Sequence, residues 1–194
     1  KDNPKICFIP TASGDSDLYK LNFYRAFSKL KCITSHLDFF SRTDDLEERI
    51  LTQDIIYVGG GNTKSMLAVW KEWNLDSILK KAYSDGIVMS GVSAGAICWF
   101  EKGITDSYSD KLSILDCLGI VEGTACPHFD EESEREPFVN DIIEKGIIDS
   151  CICIEGNCAL HICDEKIMRS VNFGSNKKSF LLSKENNKLL KKLY

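Results

Sequence analysis

The chain has 194 residues, 43% of them hydrophobic and 27% charged, with a net charge of −5. That length suits one α/β domain with a full core, and the composition is that of an ordinary soluble globular protein. The acidic balance, with no Lys/Arg cluster interleaved with aromatics, argues against a nucleic-acid partner, and no apolar run reaches the length of a membrane span.

Strand and helix patterns alternate along the chain. Residues 5–9 read as a buried strand ending at Pro10, and 15–30 as a helix with Leu18, Leu21, Phe23, Phe27 and Leu30 at helical spacing. A strand over 32–40, an acidic-starting helix over 43–51 and a strand over 54–58 follow. After Gly59-Gly60-Gly61, Asn62 or Thr63 can cap a helix bearing Met66, Leu67, Val69 and Trp70. A helix over 74–84, a strand over 86–90 and a helix over 94–100 come next. Residues 101–122 look irregular, 131–145 read as a helix, and 150–182 as short strands between turns. Such alternation implies a mostly parallel central sheet with helices on both faces, and no linker or repeat divides the chain, so a single domain over 1–194 is expected. Lysines at 177–178 and 188–192 read as a solvated tail.

Nine cysteines, an odd number without secretory context, read as reduced thiols of a cytoplasmic protein. Cys151, Cys153, Cys158, His161 and Cys163 could be drawn as a metal site, but no C-x-x-C pair is present and apolar residues interleave at strand spacing. Buried thiols acting as small hydrophobes account for them better, and no metal is expected. The chain opens at Lys1 without a signal-peptide pattern, which reads as processing or trimming.

The chemistry concentrates at Gly91-Val-Ser-Ala-Gly95, between a strand and a helix. G-x-S-x-G in that context is a nucleophile elbow, which lifts Ser93 above the sheet at a helix N-terminus. A serine needs a base and a charge-stabilising site. Of three histidines, His36 and His161 lie within strand patterns, whereas His128 follows Pro127 in a loop at a strand end, where open α/β sheets build their sites. An imidazole base in turn needs a carboxylate. Glu155, at a strand end beside Gly156, and Asp106, nearer to Ser93 in sequence, are the two candidates. Gly59–Gly61 lacks the endings of a P-loop or a dinucleotide fingerprint, and its N–H groups could bind an oxyanion together with that of Ala94.

Four segments in this order, Asp54-Ile-Ile-Tyr-Val-Gly-Gly-Gly-Asn-Thr63, Gly91-Val-Ser-Ala-Gly-Ala96, Pro127-His-Phe129 and Ile154-Glu-Gly-Asn157, resemble the peptidase E family of aspartyl dipeptidases, related to cyanophycinase. The resemblance implies a three-layer fold like class I glutamine amidotransferases and flavodoxin, with Ser93 as nucleophile, His128 as base, and Gly60 or Gly61 with Ala94 as oxyanion hole. It implies an acid matching Glu155 or Asp106, of which Glu155 is favoured. It further implies that Arg135, with Asn62, binds the substrate, Arg135 through the side chain of an N-terminal aspartate, its fork suiting a carboxylate. The expected activity is release of aspartate from Asp-X dipeptides without a cofactor, by a cytoplasmic monomer or homodimer. Hydrolysis of an ester or a cyanophycin-like polymer, or ligand binding without catalysis, are the alternatives. The chain departs from the family in starting one strand late, in carrying Val92 where an aromatic often precedes the serine, and in its short histidine loop.

Overall fold

The computed structural model describes residues 1–108, 111–174 and 176–194. Where the sequence shows no boundary, the chain divides into two compact units, Lys1–Ala96 and Ile97–Tyr194. Both are built on parallel strands, and the protein is α/β.

The first unit holds β1 (Lys5–Ile9), α1 (Asp17–Phe27), β2 (Ile33–His36), α2 (Leu46–Leu51), β3 (Ile55–Val58), α3 (Thr63–Glu72), α4 (Leu75–Ser84), β4 (Val88–Gly91) and the start of α5 (Ala94–Ile97). Its four strands pair in parallel in the order β2-β1-β3-β4. Central β1 is apolar and buried from Ile6 onward, as a strand covered on both faces must be. Helix α1 buries a different face from the one its leucines mark. Leu18, Leu21 and Leu30 are exposed, and the row turned inward is buried Phe23 with partly buried Tyr19 and Phe27, four residues apart. Phe23 stacks on Phe8 of β1 with ring centroids 4.8 Å apart, and aromatic area outweighs that of the leucines there.

The second unit holds β5 (Phe100–Thr105), β6 (Ser113–Asp116), β7 (Val121–Cys126), α6 (Arg135–Glu144), β8 (Ser150–Ile154), β9 (Cys158–Cys163), β10 (Lys166–Asn172), β11 (Ser179–Glu185) and β12 (Lys188–Leu193). Its six-stranded sheet runs β12-β11-β8-β7-β5-β6, with a parallel centre, β8-β7-β5, between antiparallel flanks. The hairpin β9–β10 forms a separate two-stranded sheet. Two expectations are corrected here. The segment read as irregular holds β5 and β6 and the start of β7, and the lysine-rich stretch 188–192 lies in β12, an edge strand paired with β11. Lysines are a common device for blunting an edge, so their charge is compatible with pairing on one side only. Among the described residues no helix is long and apolar enough to cross a membrane.

Candidate active site

The carboxyl ends of the parallel strands carry the candidate residues in both units. In the first, β3 and β4 are neighbours in register, Val58 opposite Gly91, so Gly59–Gly61 and Val92-Ser93 leave the sheet side by side. Ser93 has φ +56°, the left-handed conformation of an elbow, and a non-glycine residue keeps it only when its surroundings over-determine it. Those surroundings are the two glycines of the motif. A Cβ on Gly91 would overlap the Gly95 carbonyl, and a Cβ on Gly95 would overlap the Val58 carbonyl at the end of β3. The elbow is thus pressed on the neighbouring strand with no room for a side chain at either flank.

The glycine loop stands against the serine. A Cβ on Gly60 would lie 3.0 Å from Ser93 Cβ and 3.6 Å from its Oγ. Gly61, at φ +137°, passes the Ala12 carbonyl too closely for any side chain, and the Asn62 N–H donates to that carbonyl at 2.8 Å. Ala12 lies in the single turn Thr11–Ser13 that follows β1, and Trp70 Nε1 of α3 donates to Thr11 Oγ1 at 3.1 Å, so the loops after β1 and β3 are tied together. Asn62 caps α3 by accepting from the Ser65 N–H at 2.8 Å. The Gly60 N–H, an expected oxyanion donor, donates to the Tyr19 hydroxyl at 3.0 Å. Tyr19 gave no signal in the sequence beyond its place on the aromatic face of α1.

In the second unit, His128 follows β7, Asp106 follows β5 and Glu155 follows β8, three mutually adjacent parallel strands with β7 in the middle. Both sequence-derived acids therefore flank the histidine strand at the same sheet edge. The carboxylate that reaches His128 is a third one. His128 has φ +52°, and the chain turns back so that the Glu131 N–H donates to the His128 carbonyl at 3.0 Å. Glu131 Oε2 lies 2.6 Å from His128 Nδ1. Glu155 instead accepts the Lys178 N–H at 2.8 Å and donates its own N–H to the Lys178 carbonyl, which joins the end of β8 to the start of β11. Arg135 is buried at the start of α6. Glu132 Oε2 receives both its Nε and its Nη2 at 2.7 Å, and Nη1 donates to the Ile104 carbonyl at 3.2 Å. The arginine expected to bind a substrate carboxylate already holds an internal one.

Asp130 fixes the histidine loop to the end of β8. Its Oδ1 accepts the Gly156 N–H at 2.7 Å, and its Oδ2 pairs with Lys177. Burial pushes the carboxyl upward, but the Lys177 ammonium and the Gly156 N–H outweigh it and hold the group below its usual range. Because the native value is depressed, the stabilisation is complete above the unfolded value and is lost as pH falls through the native one. The stability difference between wild type and Asp130→Asn, read by urea unfolding, should be constant from neutrality to about pH 5 and should close below about pH 4. A difference that stays constant through the acid range contradicts this account.

The thiols of Cys126 and Cys117 are poor nucleophiles. Burial pushes Cys126 up to about 12 and, with help from Asp116, Cys117 to about 12 as well. Among the described residues no group of three His, Cys, Asp or Glu side chains converges in a manner that could hold a metal ion.

Comparison with known proteins gives a coherent family. The family described as Peptidase family S51 matches residues 1–170. The uncharacterized peptidase YgaJ of Bacillus subtilis (strain 168) is 44% identical over 181 residues, which cover 93% of this chain and 78% of YgaJ. The uncharacterized peptidase Lin0382 of Listeria innocua serovar 6a is 28% identical over 136 residues, 64% of either chain. A crystal structure from Listeria monocytogenes EGD-e, provisionally described as a peptidase E protein, superposes with a TM-score of 0.70 at 19% identity, covering 89% of this chain and 88% of that one. A peptidase from an acI-B1 Actinobacterium superposes with a TM-score of 0.59 at 15% identity, covering 98% and 81%. These two structures support the fold alone.

Proposed function

The chain belongs to peptidase family S51, a family of serine peptidases, and on that premise we propose that it releases an N-terminal aspartate from short peptides, Asp-X dipeptides foremost, through an acyl-enzyme on Ser93. The observation that carries the reading is Ser93 itself, held at φ +56° between β4 and α5 with the glycine loop packed against it. Ser93 Oγ attacks the scissile carbonyl and forms the tetrahedral adduct. His128 takes the hydroxyl proton and returns it to the departing amine. Backbone N–H groups of Ala94 and of Gly60 or Gly61 receive the oxyanion, and for Gly60 this requires the Tyr19 hydroxyl to yield its hydrogen bond. Water, its proton taken by His128, then cleaves the acyl ester and frees the aspartate. Every step uses side chains and backbone amides of this chain.

The aspartate preference rests on the resemblance to peptidase E. One observation favours a second reading, in which the same chemistry serves peptides without an N-terminal acid: the Arg135 fork is filled by Glu132, and a substrate carboxylate would have to displace it. The two readings part on a dipeptide panel of Asp-X, Glu-X, Ala-X and N-blocked Asp-X. Cleavage confined to unblocked Asp-X is the expected result. Cleavage of Ala-X at a rate equal to that of Asp-X overturns the aspartate preference and leaves the serine chemistry standing.

A further inference from the structure

The histidine loop supplies its own carboxylate. An ionised carboxylate only accepts hydrogen bonds, so across the 2.6 Å contact the proton belongs to His128 Nδ1, and in the neutral ring Nε2 then keeps its lone pair. That is the tautomer a general base needs. The far side of the carboxylate lies against a glycine. A Cβ on residue 156 would overlap Glu131 Oε1 and Cδ and stand 3.0 Å from its Cγ. Gly156 is held in place by Asp130, the residue before Glu131, through its N–H at 2.7 Å. The Phe129 N–H donates to the Ile154 carbonyl at 3.1 Å, so residues 129–131 are laid along the end of β8. The carboxylate therefore sits between an imidazole and a bare Cα, with its loop tied down on both sides.

We propose that Glu131 is the residue that positions His128, that Gly156 is a glycine because the Glu131 carboxylate occupies the space of its side chain, and that Glu155 shapes the strand junction instead. This rests on the serine-hydrolase reading above for its consequence in turnover, but not for its geometry. Glu131 touches no reacting atom; it acts through the histidine, as the buried aspartate does in serine peptidases at large.

The test compares wild type with Glu131→Gln, Glu131→Asp, Gly156→Ala and Glu155→Gln on two readouts. The first is the rate at which a fluorophosphonate modifies Ser93, which is independent of peptide preference. Glu131→Gln should lower it about 10²-fold, the lower end for assisted proton transfer because Glu131 is half-exposed. Gly156→Ala should lower it similarly, Glu131→Asp should restore part of the loss, and Glu155→Gln should lose less than Glu131→Gln. The second is the ¹⁵N spectrum of the His128 ring, where wild type should carry its proton on Nδ1 and Glu131→Gln should lose that preference. A Glu131→Gln protein that reacts at the wild-type rate, or a larger loss at Glu155→Gln, overturns the proposal. If wild type does not react at all, the serine-hydrolase reading fails. The ring spectrum then decides the Glu131 pairing alone: an unchanged tautomer in Glu131→Gln refutes it, and a lost Nδ1 proton upholds it.

Discussion

Replacing Ser93 with alanine is expected to lower peptide turnover by about 10⁴-fold or more while leaving the fold unchanged, since removing the nucleophile of a serine peptidase costs rates of that order. Alanine shares the backbone preferences of serine closely enough that the φ of +56° is no harder to hold, and the side chain is only partly buried, so the thermal midpoint should stay near that of wild type. The pairing of these two results matters. A large loss of activity with an unchanged midpoint identifies a chemical role. A variant that keeps its activity removes Ser93 from the mechanism, and one that unfolds shows that the hydroxyl is needed for the turn.

The opposite signature is expected at Gly95. This glycine has an ordinary φ, so what it supplies is space and not conformational freedom. A methyl group there would overlap the Val58 carbonyl and stand 2.8 Å from Val58 Cβ, and neither the strand end nor the elbow has slack to give. Forcing β3 and β4 apart should cost about 3 kcal/mol, the upper part of the range for overpacked sites. Gly14→Ala is the control. Gly14 has φ +66° with nothing within 4 Å of an added Cβ, so it reports the backbone penalty alone, about 1 kcal/mol. Urea unfolding of the two variants separates the effects, and equal losses would show that packing at the elbow is not what the motif requires.

The alternation of elements in the first unit was legible because β1 and β3 are short, mostly apolar runs and α3 carries a clear cap in Asn62. The motif glycines gave the elbow for the same reason: close approach of backbones permits no other residue. Legibility failed where tertiary contacts decide. Strands β5 and β6 mix charged and apolar residues without clean alternation, and β12 is rich in lysine, so only pairing with β7, β5 and β11 makes strands of them. The acidic stretch after His128 looked like the first turn of a helix, whereas α6 begins at Arg135 and the stretch is a turn. That reading concealed Glu131. A positive φ at His128 folds the chain back upon it, and nothing in the local sequence announces such a φ at a histidine. Arg135 was legible as a carboxylate binder but not as one already satisfied, because its partner, Glu132, is one acid of an acidic stretch three residues before it and nothing local marks it out.

The most direct test of the central claim, that Ser93 is an activated nucleophile, is to treat the protein with a fluorophosphonate and map the adduct by mass spectrometry. A single adduct on Ser93, absent from Ser93→Ala and blocked by prior denaturation, is the result this account predicts. An unmodified wild-type protein, or an adduct on another residue that persists in Ser93→Ala, would contradict it.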